Sequence, residues 1–144
     1  MDAFPSAPAP APTPPAKRLV APLATLAGVV GAFVYVGAVD PNEAGHYPTC
    51  PLLALTGILC PGCGGLRSAH AVAHGDLVTA AGANAMAVAG YAAFAVLMVV
   101  WITRAVKGRR MDVSLTRVQW WVLGTVFAVF SVVRNLPFGS ALAP

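Results

Sequence analysis

Three apolar runs limit what this chain can fold into more than any other feature. The first is Leu19 to Val39, the second about 83–103, and the third about 118–137. Each matches the roughly 20 residues that carry a helix across a bilayer. Only 10% of the 144 residues are charged and 58% are hydrophobic. An ordinary soluble domain has roughly 25% and 45–50%, so its surface could not be covered here. These runs predict an all-α membrane protein of three transmembrane helices, a single membrane domain over 19–144. Residues 1–18, beginning "MDAFPSAPAPAPTPPA", read as a disordered Pro/Ala-rich cytoplasmic tail, because alternating proline removes backbone donors and fixes φ.

Charge placement gives an orientation. Lys17 and Arg18 precede the first run, and Arg104, Lys107, Arg109, Arg110 and Arg117 lie in or beside the connection 104–117. The longer connection, 40–82, has Arg67 as its one Lys or Arg, against Asp40, Glu43 and Asp76. Lys and Arg in short loops stay cytoplasmic, which puts the N-terminus inside and the 40–82 loop and C-terminus outside. Trp101, Trp120 and Trp121 flank the basic loop, where an inner aromatic belt would lie. The net charge of +4 then serves contact with anionic headgroups, and no nucleic-acid partner is expected. The first run exceeds the 7–15 residues of a signal-peptide core, which favours an uncleaved anchor over a leader ending at Val36–Ala38. Arg134 and Asn135, near the outer end of the third run, read as a snorkelling cation and its neighbour; pairing of Arg134 with an outer acid such as Asp76 is the rival.

All three cysteines and all three histidines fall in the outer loop. "AVDPNEAGHYPTCP" reads as irregular chain and "LLALTGIL" as a short element too brief to span. From Gly64 to Gly75 the spacing predicts a short amphipathic helix at the outer surface. Leu66, Ala69, Ala73 and Leu77 form one stripe of it, and Arg67, His70 and His74 a second. Gly75-Asp76 interrupts it, and Asn84 opens the second span.

The stretch Cys50 to Asn84, "CPLLALTGILCPGCGGLRSAHAVAHGDLVTAAGAN", resembles the signature of a family of small bacterial membrane proteins of unknown function. That pattern is C-P-x4-T-G-x2-C-P-G-C-G-x2-R, followed by G-[DN] and an Asn. The matching positions are Cys50, Pro51, Thr56, Gly57, Cys60, Pro61, Gly62, Cys63, Gly64, Arg67, Gly75, Asp76 and Asn84. The resemblance implies a bacterial inner-membrane protein and carries no activity; His70 and His74 lie outside it.

Four readings of the cysteines stand side by side. An outer loop sits where paired thiols oxidise, so Cys50, Cys60 and Cys63 allow one bridge and one free thiol. Cys60-Pro-Gly-Cys63 at a helix start suits a redox dithiol, with Arg67 one turn on as the cation favouring thiolate. Cys60, Cys63, His70 and His74 form a Cys2His2 set for zinc or copper, with the two histidines sharing a helix face at i, i+4. Such histidines are more commonly solvated. Packing or partner contact by a glycine-rich loop is the fourth. No Walker loop, G-x-S-x-G elbow, H-E-x-x-H helix or paired carboxylates occur. Small-residue faces such as "AGVVGA" suit close helix packing within the bundle, or against itself or another membrane protein. These features lead to a non-enzymatic accessory or assembly subunit with a disulfide- or metal-stabilised outer loop. The alternative is a thiol-redox or metal-handling membrane protein using Cys60 and Cys63.

Overall fold

The computed structural model describes residues 15–43 and 45–142, so the expected disorder of residues 1–14 lies outside the described residues. Every regular element among the described residues is a helix, and there is no strand among them. Helix α1 spans Pro15–Ala38, α2 Pro51–Thr56, α3 Gly65–Ala73, α4 Leu77–Val106 and α5 Arg117–Val133, and a 3-10 turn covers Pro137–Leu142. Helix α1 begins four residues before the first apolar run, because proline suits the first turn of a helix, where its missing N–H has no partner to lose. Lys17 and Arg18 are therefore helical, and the tail ends earlier than residue 18.

Two helices, α1 and α4, are long and apolar enough to cross a membrane. Their surfaces carry exposed apolar side chains such as Val34, Val96 and Val99. The third run behaves differently. Helix α5 has 17 residues, about 25 Å at 1.5 Å per residue, and it stops at Val133, four residues short of the expected end. Thr116 and Gln119 form a capping box at its start. Its end is set by Arg134 and Asn135, whose side chains turn away to bond the cysteine loop.

Helix α4 has a break that its hydropathy hides. Asn84 has φ −164° and ψ 95°, and its Oδ1 accepts from the Ala87 N–H at 2.9 Å. That is an N-cap inside a continuous apolar sequence, so a new helix starts at residue 85. Upstream, Asp76 caps the first segment through the Thr79 N–H and hydroxyl, at 3.0 and 2.6 Å. The expected interruption at Gly75-Asp76 and the expected opening at Asn84 are thus both helix caps.

Packing concentrates around α3, which lies against α4 and α1. Its buried face is Ser68, Ala69 and Ala71, whereas Leu66 and Leu77 are exposed. Of the stripe Leu66, Ala69, Ala73 and Leu77, the two alanines therefore pack, Ala69 buried and Ala73 against α1, and the two leucines do not. Close approach selects the small side chains instead: a Cβ added at Gly37 of α1 would sit 3.2 Å from the Ala73 Cβ. At the far end Arg18 rests against Gly108, so the start of α1 and the end of α4 share one side of the molecule. The cysteine loop occupies the other.

Candidate metal centre

The cysteine loop begins at Cys50, the N-cap residue of α2, whose carbonyl accepts from the Ala54 N–H at 2.9 Å. Proline at the first helical position starts this short helix, and Thr56-Gly57 ends it. Gly57 adopts φ 71°, open to glycine at no steric cost, and donates to the Leu53 carbonyl at 2.9 Å. Thr56 Oγ1 donates to the Leu52 carbonyl at 2.6 Å and accepts from the Ile58 N–H at 3.2 Å. The Thr-Gly pair thus reverses the chain and returns it to Cys60, beside Cys50.

Cys60-Pro61-Gly62-Cys63 is a tight turn closed by the Cys63 N–H on the Cys60 carbonyl at 3.1 Å. Gly64, at φ 78°, is the N-cap residue of α3, and the Gly65 N–H bonds the Gly62 carbonyl. The turn points the sulfurs together. Cys60 Sγ lies 3.1 Å from Cys63 Sγ and 3.6 Å from Cys50 Sγ, and all three sulfurs fall within 4.8 Å of one another. The Cys60 N–H also points at Cys63 Sγ, 3.3 Å away.

These separations correct the bridge expectation. A disulfide needs about 2.05 Å between sulfurs, and all three cysteines are free thiols. A tetrahedral zinc site with bonds of about 2.3 Å separates its sulfurs by about 3.8 Å; two of the separations here, 3.1 and 3.6 Å, are slightly shorter, and all three sulfurs lie within 4.8 Å of one another. The environments of the thiols differ. The Leu53 backbone N–H, with further help from the Cys60 and Cys63 sulfurs, holds the Cys50 thiol below its ordinary range. Burial, reinforced by the hydrogen bond with Cys60, pushes Cys63 up to about 11.

The histidines are not brought to the sulfurs. His70 Nδ1 is bonded to the Val36 carbonyl at 2.8 Å and its Nε2 faces Asp40 Oδ1 at 3.9 Å, tying α3 to the end of α1. His74 Nδ1 lies 2.9 Å from the His70 carbonyl, and the two rings stack at 4.4 Å. The i, i+4 spacing does place them side by side, but Cys50 takes the position beside Cys60 and Cys63 that the Cys2His2 set assigns to them. Arg67 is exposed, and it is not among the influences on either shifted thiol.

The buried cation at this site is Arg134, 2% exposed. Its Nη1 donates to the Cys60 carbonyl at 3.1 Å and the Cys63 carbonyl at 3.0 Å. Snorkelling and pairing with Asp76 both give way to this contact, since Asp76 is engaged with Thr79. Asn84, wholly buried, donates through Nδ2 to the Pro61 carbonyl at 2.8 Å and the Cys63 carbonyl at 3.0 Å. Asn135 pairs with Leu59 twice: Oδ1 accepts from its N–H at 2.8 Å and Nδ2 donates to its carbonyl at 2.9 Å. Tyr91 Oη donates to the Gly65 carbonyl at 2.9 Å. The carbonyls of Leu59, Cys60, Pro61, Cys63 and Gly65 are thus held by side chains of α4 and of the residues just after α5. The turn meets its own Cys60 and Gly62 carbonyls through the Cys63 and Gly65 N–H groups, and the Pro61 and Cys63 carbonyls take their partners from these side chains. The sequence signals for this second set of residues are Asn84 at its motif position and the Arg134-Asn135 pair at the end of an apolar run.

A family model described as a protein of unknown function (DUF2752) matches residues 50–98. The matched segment holds all three cysteines, α2, α3 and most of α4, and leaves out α1, α5 and Arg134. No curated protein and no solved structure matches the chain.

Proposed function

We propose that this chain is a multi-pass protein of the bacterial inner membrane that holds a soft metal ion at Cys50, Cys60 and Cys63 on its outer side. It serves there as a non-enzymatic accessory or metal-handling subunit. The observation that carries this reading is the convergence of three sulfurs within 4.8 Å from two separately positioned segments. Three thiolates suit zinc or copper(I), and a four-coordinate ion held by three protein ligands keeps one position for a donor from outside. Such a site can accept an ion from one carrier and release it to another.

Helix α5 is the third span in this reading. Arg18 and Gly108 mark the cytoplasmic side, and the cysteine loop and Arg134 the opposite one. The bilayer is the constant partner; a second membrane protein or another copy would supply the fourth donor.

Purified wild-type protein is expected to retain about one ion per chain through gel filtration, measured by elemental analysis. The variant with all three cysteines changed to serine should retain none. Equal metal in both samples would sink the proposal.

A thiol-redox role is the second reading, favoured by one observation: Cys60 Sγ lies near both other sulfurs and can pair with either. The unequal thiols give a test that also reports orientation. Treat intact cells with chelator and an impermeant maleimide at neutral pH. Cys50, whose thiolate persists to lower pH, should be labelled first, and Cys63, neutral until about pH 11, last. Labelling only after lysis would overturn the orientation, and labelling of Cys63 first would overturn the assignment of the reactive thiol.

A further inference from the structure

A guanidinium enclosed by protein should have its charge balanced and its N–H groups paired, and Arg134 meets neither condition. Its Nη1 is satisfied by the Cys60 and Cys63 carbonyls, but Nε and Nη2 are buried without a hydrogen-bond partner among the described residues. The Phe130 ring, 5.0 Å from Cζ, offers a quadrupole and no charge. No carboxylate compensates it among the described residues. Asp40 is held by Asn42, Glu43 by His46 and Asp76 by Thr79, while Asp112 lies in the basic connection at the other side. An isolated buried charge is strongly unfavourable, and an anionic complex at the neighbouring sulfurs would balance it.

We propose that Arg134 is the counter-charge of the three-sulfur site, and that it fits the site to a soft divalent cation of the zinc and cadmium class. This rests on the metal-binding reading above. The charge arithmetic is short. Three thiols that bind a divalent ion release three protons and form a complex of charge −1, which the guanidinium cancels. A monovalent ion on three thiolates forms a complex of −2 and leaves one negative charge over. A trivalent centre on three thiolates is neutral and leaves the guanidinium uncompensated. The divalent ion alone neutralises the full three-thiolate set. Arginine suits this role better than lysine would, because its charge persists at all working pH values and its fork spans two carbonyls at once.

The prediction separates charge from shape. Arsenous acid exchanges three hydroxyls for three cysteine sulfurs, releases three waters and gives a neutral complex, so it probes the same three thiols without needing the cation. Cadmium and arsenite affinities are measured on the full chain in detergent, for wild type, R134Q and R134K. Glutamine keeps an N–H donor for the turn and removes the charge. In R134Q the cadmium affinity should fall on the order of a hundredfold, the scale of one charge pair at an effective dielectric of about 20. Arsenite affinity should change by less than about threefold. In R134K the cadmium-to-arsenite ratio should stay close to that of wild type. An unchanged ratio in R134Q, or an equal fall of the ratio in R134Q and R134K, would overturn the proposal. If R134Q binds neither probe, R134K decides: a ratio kept near wild type supports the counter-charge, and a tenfold fall refutes it. Failure of wild type to bind cadmium at all would instead strike the metal reading itself.

Discussion

Asn84→Leu is expected to free the Cys60–Cys63 turn and cost about 3 kcal/mol of stability. The size follows from which groups lose their partner. The Pro61 carbonyl and the Ala87 N–H would lose the Asn84 side-chain bonds they make, while the Cys63 carbonyl would keep Arg134. An unsatisfied buried group costs about 1–3 kcal/mol, and leucine supplies no replacement. Leucine also favours an uninterrupted helix through position 84, where the backbone is now extended. The second segment of α4 would lose its cap and the turn one of its two clamps. Reversible unfolding in mixed micelles measures the loss. Cadmium affinity of the same samples should fall with it, as the sulfurs lose their preset spacing. A stability change below about 1 kcal/mol would show that the Asn84 contacts are incidental.

Cys60→Ser should have the larger effect on the site itself. Cys60 is the middle sulfur, 3.6 Å from Cys50 and 3.1 Å from Cys63, and the other two meet through it. Structural zinc sites with four ligands have apparent binding energies of about 10–16 kcal/mol, or about 2.5–4 kcal/mol per ligand. The expected loss in zinc or cadmium affinity is therefore about a hundredfold to a thousandfold. The double variant His70→Ala and His74→Ala should stay within about threefold of wild type, because neither ring reaches the sulfurs. If the histidine variant lost as much as Cys60→Ser, the ligand set would be Cys2His2 after all.

The contrast between those two variants marks where the sequence stops being legible. Helices α1 and α4 could be read from hydropathy, and Asp76 and Asn84 from the habit of short polar side chains to cap helices. Local chemistry decides each of these. The histidine pair is also local, and its i, i+4 spacing does bring the rings together. The competing bond from His70 to Val36 spans 34 residues, which no spacing rule reveals. Arg134 misleads for the same reason. At the end of an apolar run, water is the default destination of an arginine, yet the turn carbonyls 71 and 74 residues upstream claim it. The two glycine turns at Gly57 and Gly64 were visible as motif positions. Their purpose, reversing the chain so that Cys60 returns to Cys50, depends on φ values that the letters do not carry.

The anchoring of the turn by Arg134 and Asn135 has a consequence for the order of biosynthesis. The ribosome delivers Cys50, Cys60 and Cys63 well before these two residues, since Arg134 follows Cys63 by 71 positions. Until α5 has emerged and docked, the turn has Asn84 but lacks the Arg134 bonds to the Cys60 and Cys63 carbonyls and the Asn135 bonds to Leu59. The nascent chain therefore passes through a stage in which its thiols are translated but not yet arrayed, exposed to oxidants and to capture by the wrong ion. In the metal-binding reading proposed above, the centre is complete only once α5 has docked and Arg134 and Asn135 have reached the turn.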